Sequence, residues 1–315
     1  MSRIIASASY LPGEAISNQQ LIARYQLESS DEWIWQRTGI QARYFAESDQ
    51  SVADLASAAA KRLVASLDFN QRAQIRQIIV ATMSAGSATP SVASQVQAAI
   101  EAPNAWAVDV NGACSGFVMA LEIANALSQM QSSGYTLVIG AEKMSQLLDF
   151  NDRSTAILFG DGAAGLLIEH DGQPLTQFVS RLTSDGTKGT AIQIATTTQA
   201  YPTMQMEGRD VFNFVKRTVI PDLAQFIENH QLDFDYLICH QANQRLLNLF
   251  ADKLALTQEQ VPSNIAQVAN TSAASIPLLI DYLVQIGQLK LDGTQRVLLS
   301  GFGAGLAWGH SYLSL

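Results

Sequence analysis

The second half of this chain repeats the order of signals found in the first. An apolar run at Ile78-Ile79-Val80-Ala81 is matched by one over 235–239 that ends in His240-Gln-Ala-Asn243. A turn carrying Cys114 opens an apolar helix, as Asn270-Thr-Ser-Ala-Ala-Ser275 opens a helix over 276–286. A strand over 135–141 has its counterpart over 295–300. Phe159-Gly-Asp-Gly162, leading into a strand over 166–169, is echoed by Phe302-Gly-Ala-Gly305, leading into one over 306–313. Cys114 and Asn270 lie 156 positions apart, and Phe159 and Phe302 lie 143 apart, so the halves run in step with modest length differences. Alternating strands and helices in two such halves predict a layered α/β protein in which two sheets sandwich buried helices. We place the halves at 1–170 and 171–315.

The remaining elements follow from periodicity and punctuation. A strand over 3–11 stops at Pro12-Gly13, and 16–25 reads as helix. Ser29, three residues before Glu32, forms a capping-box pattern for a short helix that carries Trp33 and Arg37 one turn apart. Helices are expected over 51–67 and 91–100, strands over 76–82 and 105–110, and irregular chain over 143–155. Gly160-x-Gly162-x-x-Gly165 has the spacing of a dinucleotide fingerprint, but a strand follows where the pyrophosphate would need a helix N-terminus. Close backbone packing is the reading we keep for these glycines.

Bulk properties narrow the function classes. With 48% hydrophobic and 15% charged residues in 315, the chain can bury a large core. A formal net charge of −9 argues against nucleic acid as the principal partner. No apolar run is long enough to cross a bilayer, and Met1-Ser-Arg-Ile-Ile5 enters a strand without a signal-peptide profile. Two cysteines, Cys114 and Cys239, make no disulfide framework, so a cytoplasmic location is expected. Four histidines (His170, His230, His240, His310) show no ligand spacing, and no metal is expected.

Three residues carry chemistry by position. Cys114, between Gly112 and Gly116, sits at a sharp strand-to-helix turn, where helix N-terminal amides would lower a thiol pKa and yield a nucleophile. A packed apolar cysteine is the other reading. His240 follows a strand and Asn270 opens a helix. Sites in open α/β sheets form beyond the carboxyl ends of strands, and pseudo-twofold packing would bring the three together. Trp33 and Arg37 could clamp a nucleotide by stacking and charge, or be a half-buried aromatic beside a surface cation.

Gly112-Ala-Cys-Ser-Gly-Phe117, Phe159-Gly-Asp-Gly-Ala163, His240-Gln-Ala-Asn243, Asn270-Thr-Ser-Ala-Ala-Ser-Ile-Pro277 and Gly301-Phe-Gly-Ala-Gly-Leu-Ala-Trp-Gly309 together resemble β-ketoacyl-acyl carrier protein synthase III. This is the thiolase-fold condensing family that begins bacterial fatty acid synthesis. The resemblance runs from Ser7-Ala-Ser-Tyr-Leu-Pro12 and Ser30-Asp-Glu-Trp-Ile34 to the C-terminus. It implies a five-layer αβαβα fold with two mixed sheets. It implies that an acyl-coenzyme A primer is transferred to Cys114, with the backbone N–H groups of Cys114 and Ala304 holding the oxyanion. Malonyl-acyl carrier protein then loses CO2 while His240 Nε2 and the Asn270 amide bind the enolate, without a metal or redox cofactor.

By the same resemblance, Trp33, Arg37 and Arg153 hold the coenzyme A nucleotide, and Gly208, Phe212 and Asn243 line the pantetheine path. Arg245 is a docking position for the acidic carrier protein, with Lys216 and Lys253, and also Arg209 and Arg217, nearby. Phe302 and Thr89, the latter reaching over from the partner of a homodimer, border the acyl pocket. Thr89 stands where an aromatic residue is common, which suggests a primer longer than acetyl.

The chain departs from the family's pattern in Ala266-Gln-Val-Ala269, where charged and aromatic residues followed by glycine are usual. The expected effects are a restricted backbone and a wider or drier entrance. Other readings are a related acyltransferase or condensing enzyme of secondary metabolism, a cysteine hydrolase with an acid between Cys114 and His240, and a non-catalytic partner subunit.

Overall fold

The apolar runs assemble into two mixed sheets in the computed structural model, which describes residues 2–130, 133–195 and 203–315. The first contains β1 (Arg3–Tyr10), β2 (Ile75–Ala81), β3 (Trp106–Val110), β4 (Gly134–Glu142) and β5 (Gly162–His170) in the order β1-β5-β4-β2-β3. Strands β2, β3 and β4 run parallel, and β5 is antiparallel to both β4 and β1. The second contains β6 (Val179–Ser184), β7 (Tyr236–Cys239), β8 (Arg296–Gly303) and β9 (Ala307–Ser314) in the order β7-β8-β9-β6. There β7 and β8 are parallel, and β9 is antiparallel to β8 and β6. Strands β6, β7, β8 and β9 thus repeat β1, β2, β4 and β5. Among the described residues β3 has no counterpart: Ile265–Val268 wind into one helical turn, and Asn270 makes a single bridge to Phe159.

Helices fill three layers. Outside the first sheet lie α3 (Val52–Leu63) and α4 (Val92–Ala99), the two preceding helices being α1 (Asn18–Tyr25) and α2 (Asp31–Thr38). Between the sheets lie α5 (Gly116–Ser128) and α9 (Ser275–Gln285). Against the outer face of the second sheet lie α7 (Ile220–His230) and α8 (Gln244–Leu254), α7 being joined to α6 (Gly208–Phe214) through the π turn Val215–Val219. That turn accommodates Pro221, whose missing N–H and bulky ring would otherwise break a continuous helix. In β2, Ile78 and Val80 face the outer core while Ile79 and Ala81 face the middle one. In β7, Leu237 and Cys239 face outward and Ile238 inward. Strands buried on both faces explain why they read as unbroken apolar runs rather than alternating ones. The result is the αβαβα sandwich expected.

Several boundaries differ from the sequence reading for identifiable reasons. Ser30, not Ser29, caps α2: its hydroxyl accepts Trp33 N–H at 3.2 Å. Helix α1 begins only at Asn18, because Ile16–Ser17 pairs with Ala42–Arg43 and Ser17 with Gln20 forms a capping box. Within 143–155, Met144–Leu147 and Arg153–Ala156 each make a short helical turn. Strand β5 starts at Gly162, ahead of the expected 166, and Gly165 permits it: a Cβ there would lie 2.6 Å from Val138 O. The close-packing reading of the glycines therefore holds. Asp109 of β3 accepts Val92 and Ala93 N–H, each at 2.8 Å, and so seats the N-terminus of α4. Among the described residues no helix is long and apolar enough to cross a membrane.

Candidate active site

Two copies of one turn meet between the sheets. In the first half, Asn111 Oδ1 accepts Ala113 N–H at 3.3 Å and Ser115 N–H bonds Gly112 O at 3.1 Å. In the second, Asn270 Oδ1 accepts Ser272 N–H at 2.8 Å and Ala274 N–H bonds Thr271 O at 3.0 Å. Ala113 and Ser272 both take the left-handed conformation, at φ 46° and 49°. The structural register is therefore 159 residues, which pairs Asn111 with Asn270 and Cys114 with Ala273. The 156-residue offset drawn from the motifs is thus three residues short. Helices α5 and α9 leave these turns side by side, and a Cβ on Gly116 would be 3.7 Å from Ala273 Cβ.

A cavity of about 560 Å3 opens beyond the turns. Its lining includes Cys114, His240, Asn270 and Ala304, from four separate segments of the chain. Gly303 allows this convergence, since a Cβ there would sit 2.9 Å from Cys114 N and Cβ. Asn270, its Oδ1 taken by Ser272 N–H, has its amide nitrogen left for the cavity. His240, 2% exposed at the end of β7, lies 2.7 Å through Nδ1 from Ser275 Oγ. Gln241 N–H points at the same oxygen at 3.3 Å, so the hydroxyl proton is directed to Nδ1 and the imidazole proton stands on Nε2. Phe302 packs edge-on against the ring at 5.2 Å. Met83, Leu158, Phe159, Met204 and Met206 supply an apolar wall that flexible thioethers can reshape.

Burial dominates the electrostatics. It drives His240 down to about 3, so the ring is neutral at physiological pH. It also pushes the Cys114 thiol up to about 12, against the pull of the Ser272 hydrogen bond, and the Glu142 charge adds to the rise. Burial and the Glu142 charge thus act against the lowering expected from the helix N-terminus, at a cysteine that is itself partly exposed to the cavity. Glu142, fully buried, is raised to about 7 by the same effect. Sequence reading missed Glu142, Ser272 and Ser275. The two serines lie inside the Asn270–Ser275 motif, and Glu142 is the last residue of β4, so its place at the carboxyl end of a strand was the available signal.

The other expected residues separate into groups. Arg37, Gly208, Phe212, Asn243, Arg245 and Phe302 line the cavity with the central four. Trp33 and Arg153 lie outside it, yet Trp33 is flanked by Arg37 at 5.6 Å and Arg153 at 4.8 Å from ring to guanidinium carbon. Arg153 also donates to Glu28 O at 2.6 Å. Lys216 and Lys253 are exposed on helical segments away from the lining, and Thr89 is exposed on the 84–90 loop. Asn243 caps α8, accepting Leu246 N–H at 3.0 Å.

The departure at 266–269 resolves differently from the expectation. Ala269 is fully buried and adopts φ 59°, ψ −162°, a conformation glycine would take without strain. The backbone path is kept despite the missing glycine, and residues 266–269 do not line the cavity. The loop's observed role is in packing. Its work is to pass Gly160, where a Cβ would lie 2.6 Å from Val268 O.

A duplicated five-layer fold with a cysteine at its inner strand-to-helix turn defines a thiolase-fold condensing enzyme. Residues 108–186 match the 3-oxoacyl-[acyl-carrier-protein] synthase III family model, and residues 228–315 match the model of its C-terminal part. A β-ketoacyl-[acyl-carrier-protein] synthase III from Streptococcus suis is 41% identical over 326 residues, spanning 100% of this chain and 99% of that one. The solved 3-oxoacyl-[acyl-carrier-protein] synthase III from Aquifex aeolicus superposes with a TM-score of 0.92 at 32% identity, covering 100% of both chains. The priming β-ketosynthase of the R1128 polyketide pathway does so with 0.90 at 31%, covering 100% of this chain and 96% of that one. The chain belongs to the β-ketoacyl-[acyl-carrier-protein] synthase III family.

Proposed function

We propose that the chain takes an acyl group from acyl-coenzyme A onto Cys114 and condenses it with malonyl-acyl carrier protein. The products are CO2 and a 3-ketoacyl-acyl carrier protein, and the step initiates fatty acid synthesis. The observation that carries this reading is the convergence of Cys114, His240 and Asn270 on one apolar cavity in a chain of this family. Attack on the thioester develops an oxyanion, for which the N–H groups of Cys114 and Ala304 are the donors. Loss of CO2 develops an enolate oxygen. His240 Nε2–H and the Asn270 amide donate to it, and a neutral imidazole suits that role because no proton need be released first. The carbanion attacks the acyl-Cys114 carbonyl and regenerates the thiolate. Thioester and carboxylate chemistry suffices, and we assign no cofactor.

Coenzyme A is assigned to the Trp33, Arg37 and Arg153 stack, where a flat base would lie against a ring and two guanidinium groups. Gly208, Phe212 and Asn243 follow inward along the pantetheine arm. Carrier protein is assigned to the surface at Arg245, with Lys216 and Lys253 beyond it, a local positive patch on an acidic chain. A homodimer is supported by the free side of β3, a partly exposed edge strand that carries Trp106 at 42% exposure. The cytoplasm is the assigned location.

Purified protein given acetyl-coenzyme A and malonyl-acyl carrier protein should release CO2 and form acetoacetyl-acyl carrier protein, and Cys114→Ala should abolish product. Absence of malonyl-dependent CO2 from active wild-type preparations would sink the reading. Running the assay with acetyl- and octanoyl-coenzyme A tests our proposal of a longer primer, which a strong acetyl preference overturns. A cysteine hydrolase is disfavoured because Glu142 bonds hydroxyls and amides while the His240 partner is Ser275.

A further inference from the structure

Glu142 is a buried acid that the reaction above leaves unused. Its carboxyl accepts Met83 N–H at 3.2 Å, Ser84 N–H at 3.1 Å and the Thr82 hydroxyl at 3.2 Å. It also accepts the Ser84 hydroxyl, and the Ser272 hydroxyl at 3.0 Å. Two of those hydroxyls have their oxygens occupied by other donors, Ser84 by Lys143 N–H at 2.9 Å and Thr82 by Ser84 N–H at 3.2 Å. They are thus oriented to donate. Each of these contacts favours the carboxylate, although among the described residues no cation neutralises it: Lys143 turns its ammonium to Glu47 O and Gln50 O at 2.7 and 2.6 Å.

Ser272 links this acid to the nucleophile. Cys114 Sγ lies 3.5 Å from Ser272 Oγ, which in turn lies 3.0 Å from Glu142 Oε1. Ser272 has one proton to give, and of its two acceptors a carboxylate oxygen outranks Met83 Sδ at 3.3 Å. We propose that Cys114, Ser272 and Glu142 form a proton relay in which Glu142 stores the thiol proton while Cys114 carries the acyl group. The assignment rests on Cys114 being the acyl acceptor proposed above.

In the first half-reaction the Cys114 S–H bond breaks, its proton passes to Ser272 Oγ, and the Ser272 proton passes to Glu142. The thiolate forms the new S–C bond to the acyl group. Coenzyme A leaves as a thiolate and is protonated by solvent. In the second half-reaction condensation expels the Cys114 thiolate, and the Glu142 proton returns through Ser272. One solvent proton is consumed per turnover, as decarboxylative condensation requires. Cys114, a thiol with a pKa raised by burial, needs such an acceptor, and Glu142 sits near neutrality for the same reason. Of the titratable groups around it, Cys114 is coupled to Glu142 by charge and Lys143 is turned away, while His240 is neutral across the cavity.

The test is the pH profile of Cys114 acylation by acetyl- or octanoyl-coenzyme A, whichever acylates faster, followed by mass spectrometry in single turnover without carrier protein. Wild type should show an inflection near neutrality. Glu142→Gln and Ser272→Ala should each slow acylation about 100-fold and lose that inflection, while Glu142→Asp recovers part of the rate. Ser272→Ala suits its backbone, because Ala113 holds the same left-handed conformation in the twin turn. A wild-type profile flat through neutrality overturns the relay without any variant. So does a folded Glu142→Gln or Ser272→Ala protein that keeps the wild-type profile. If wild-type Cys114 does not acylate at all, the failure lies with the proposed function instead.

Discussion

Ser275 Oγ lies 2.7 Å from His240 Nδ1 and holds the imidazole in the tautomer whose remaining proton faces the cavity. Ser275→Ala removes that orientation without touching Cys114. We expect malonyl decarboxylation to fall about 10- to 100-fold, with acylation of Cys114 changed less than 3-fold. Separate measurement of the two half-reactions checks this. An equal loss in both would remove Ser275 from the positioning role.

Ala269 holds a backbone conformation suited to glycine. Ala269→Gly should relieve strain of about 1–3 kcal/mol and lose about 0.5–1 kcal/mol to unfolded-chain entropy, for a net gain of roughly 1 kcal/mol. Urea denaturation of the two proteins decides it, and a destabilised variant would contradict the strain.

Trp33 is held between two guanidinium groups, at 5.6 and 4.8 Å. Trp33→Ala and Arg153→Ala should each raise KM for acetyl-coenzyme A roughly 5- to 10-fold while leaving KM for malonyl-acyl carrier protein within 2-fold. Parallel rises in both constants would point to a general disturbance of the cavity mouth rather than a nucleotide site.

Stability should slope in opposite directions on the two sides of mildly acidic pH. His240 falls from an ordinary 6.5 to about 3 in the fold, so below 6.5 the unfolded chain binds a proton the folded one refuses. Stability is lost as pH drops through that window, and burial shifts His170 and His310 the same way. Glu142 rises from 4.5 to about 7, so its share of stability is complete below 4.5 and is lost as pH climbs through 7. Each group contributes at most one proton, on the order of 1 kcal/mol per pH unit. Glu142→Gln should remove the loss on the neutral side and keep that on the acid side. Denaturation midpoints between pH 4 and pH 8 read both slopes, and an unchanged neutral slope in the variant would contradict the assignment.

Much of this architecture was written in periodicity. Runs such as Ile78–Ala81 are buried on both faces, and an apolar stretch of that length bounded by turn residues can hardly become anything else. Cys114, His240 and Asn270 were visible because each stands at the end of an element where a sheet opens. Glu142 shares that strand-end position, yet nothing in Gly140-Ala141-Glu142 says that donors from two other segments will surround the carboxylate. The thiol's setting was half legible for a related reason: a helix N-terminus is visible locally, while the opposing burial and the Glu142 charge depend on the surrounding core. The repeat itself was legible but misregistered by three residues, because Cys114 and Asn270 draw the eye as chemistry while the twin turns align Asn111 with Asn270.

The meeting of α5 and α9 at their N-termini has a consequence beyond geometry. Two columns of aligned peptide dipoles point their positive ends toward one space, a contribution that favours an oxyanion at Cys114 and adds to the Arg37, Arg209 and Arg245 side chains of the cavity lining. Such a field belongs to the packing of the backbone. Added salt cannot screen it as it screens surface lysines and arginines, and replacing surface charges cannot remove it. Ionic strength should therefore govern how the carrier protein arrives and have little hold on the chemistry once the thioester is inside.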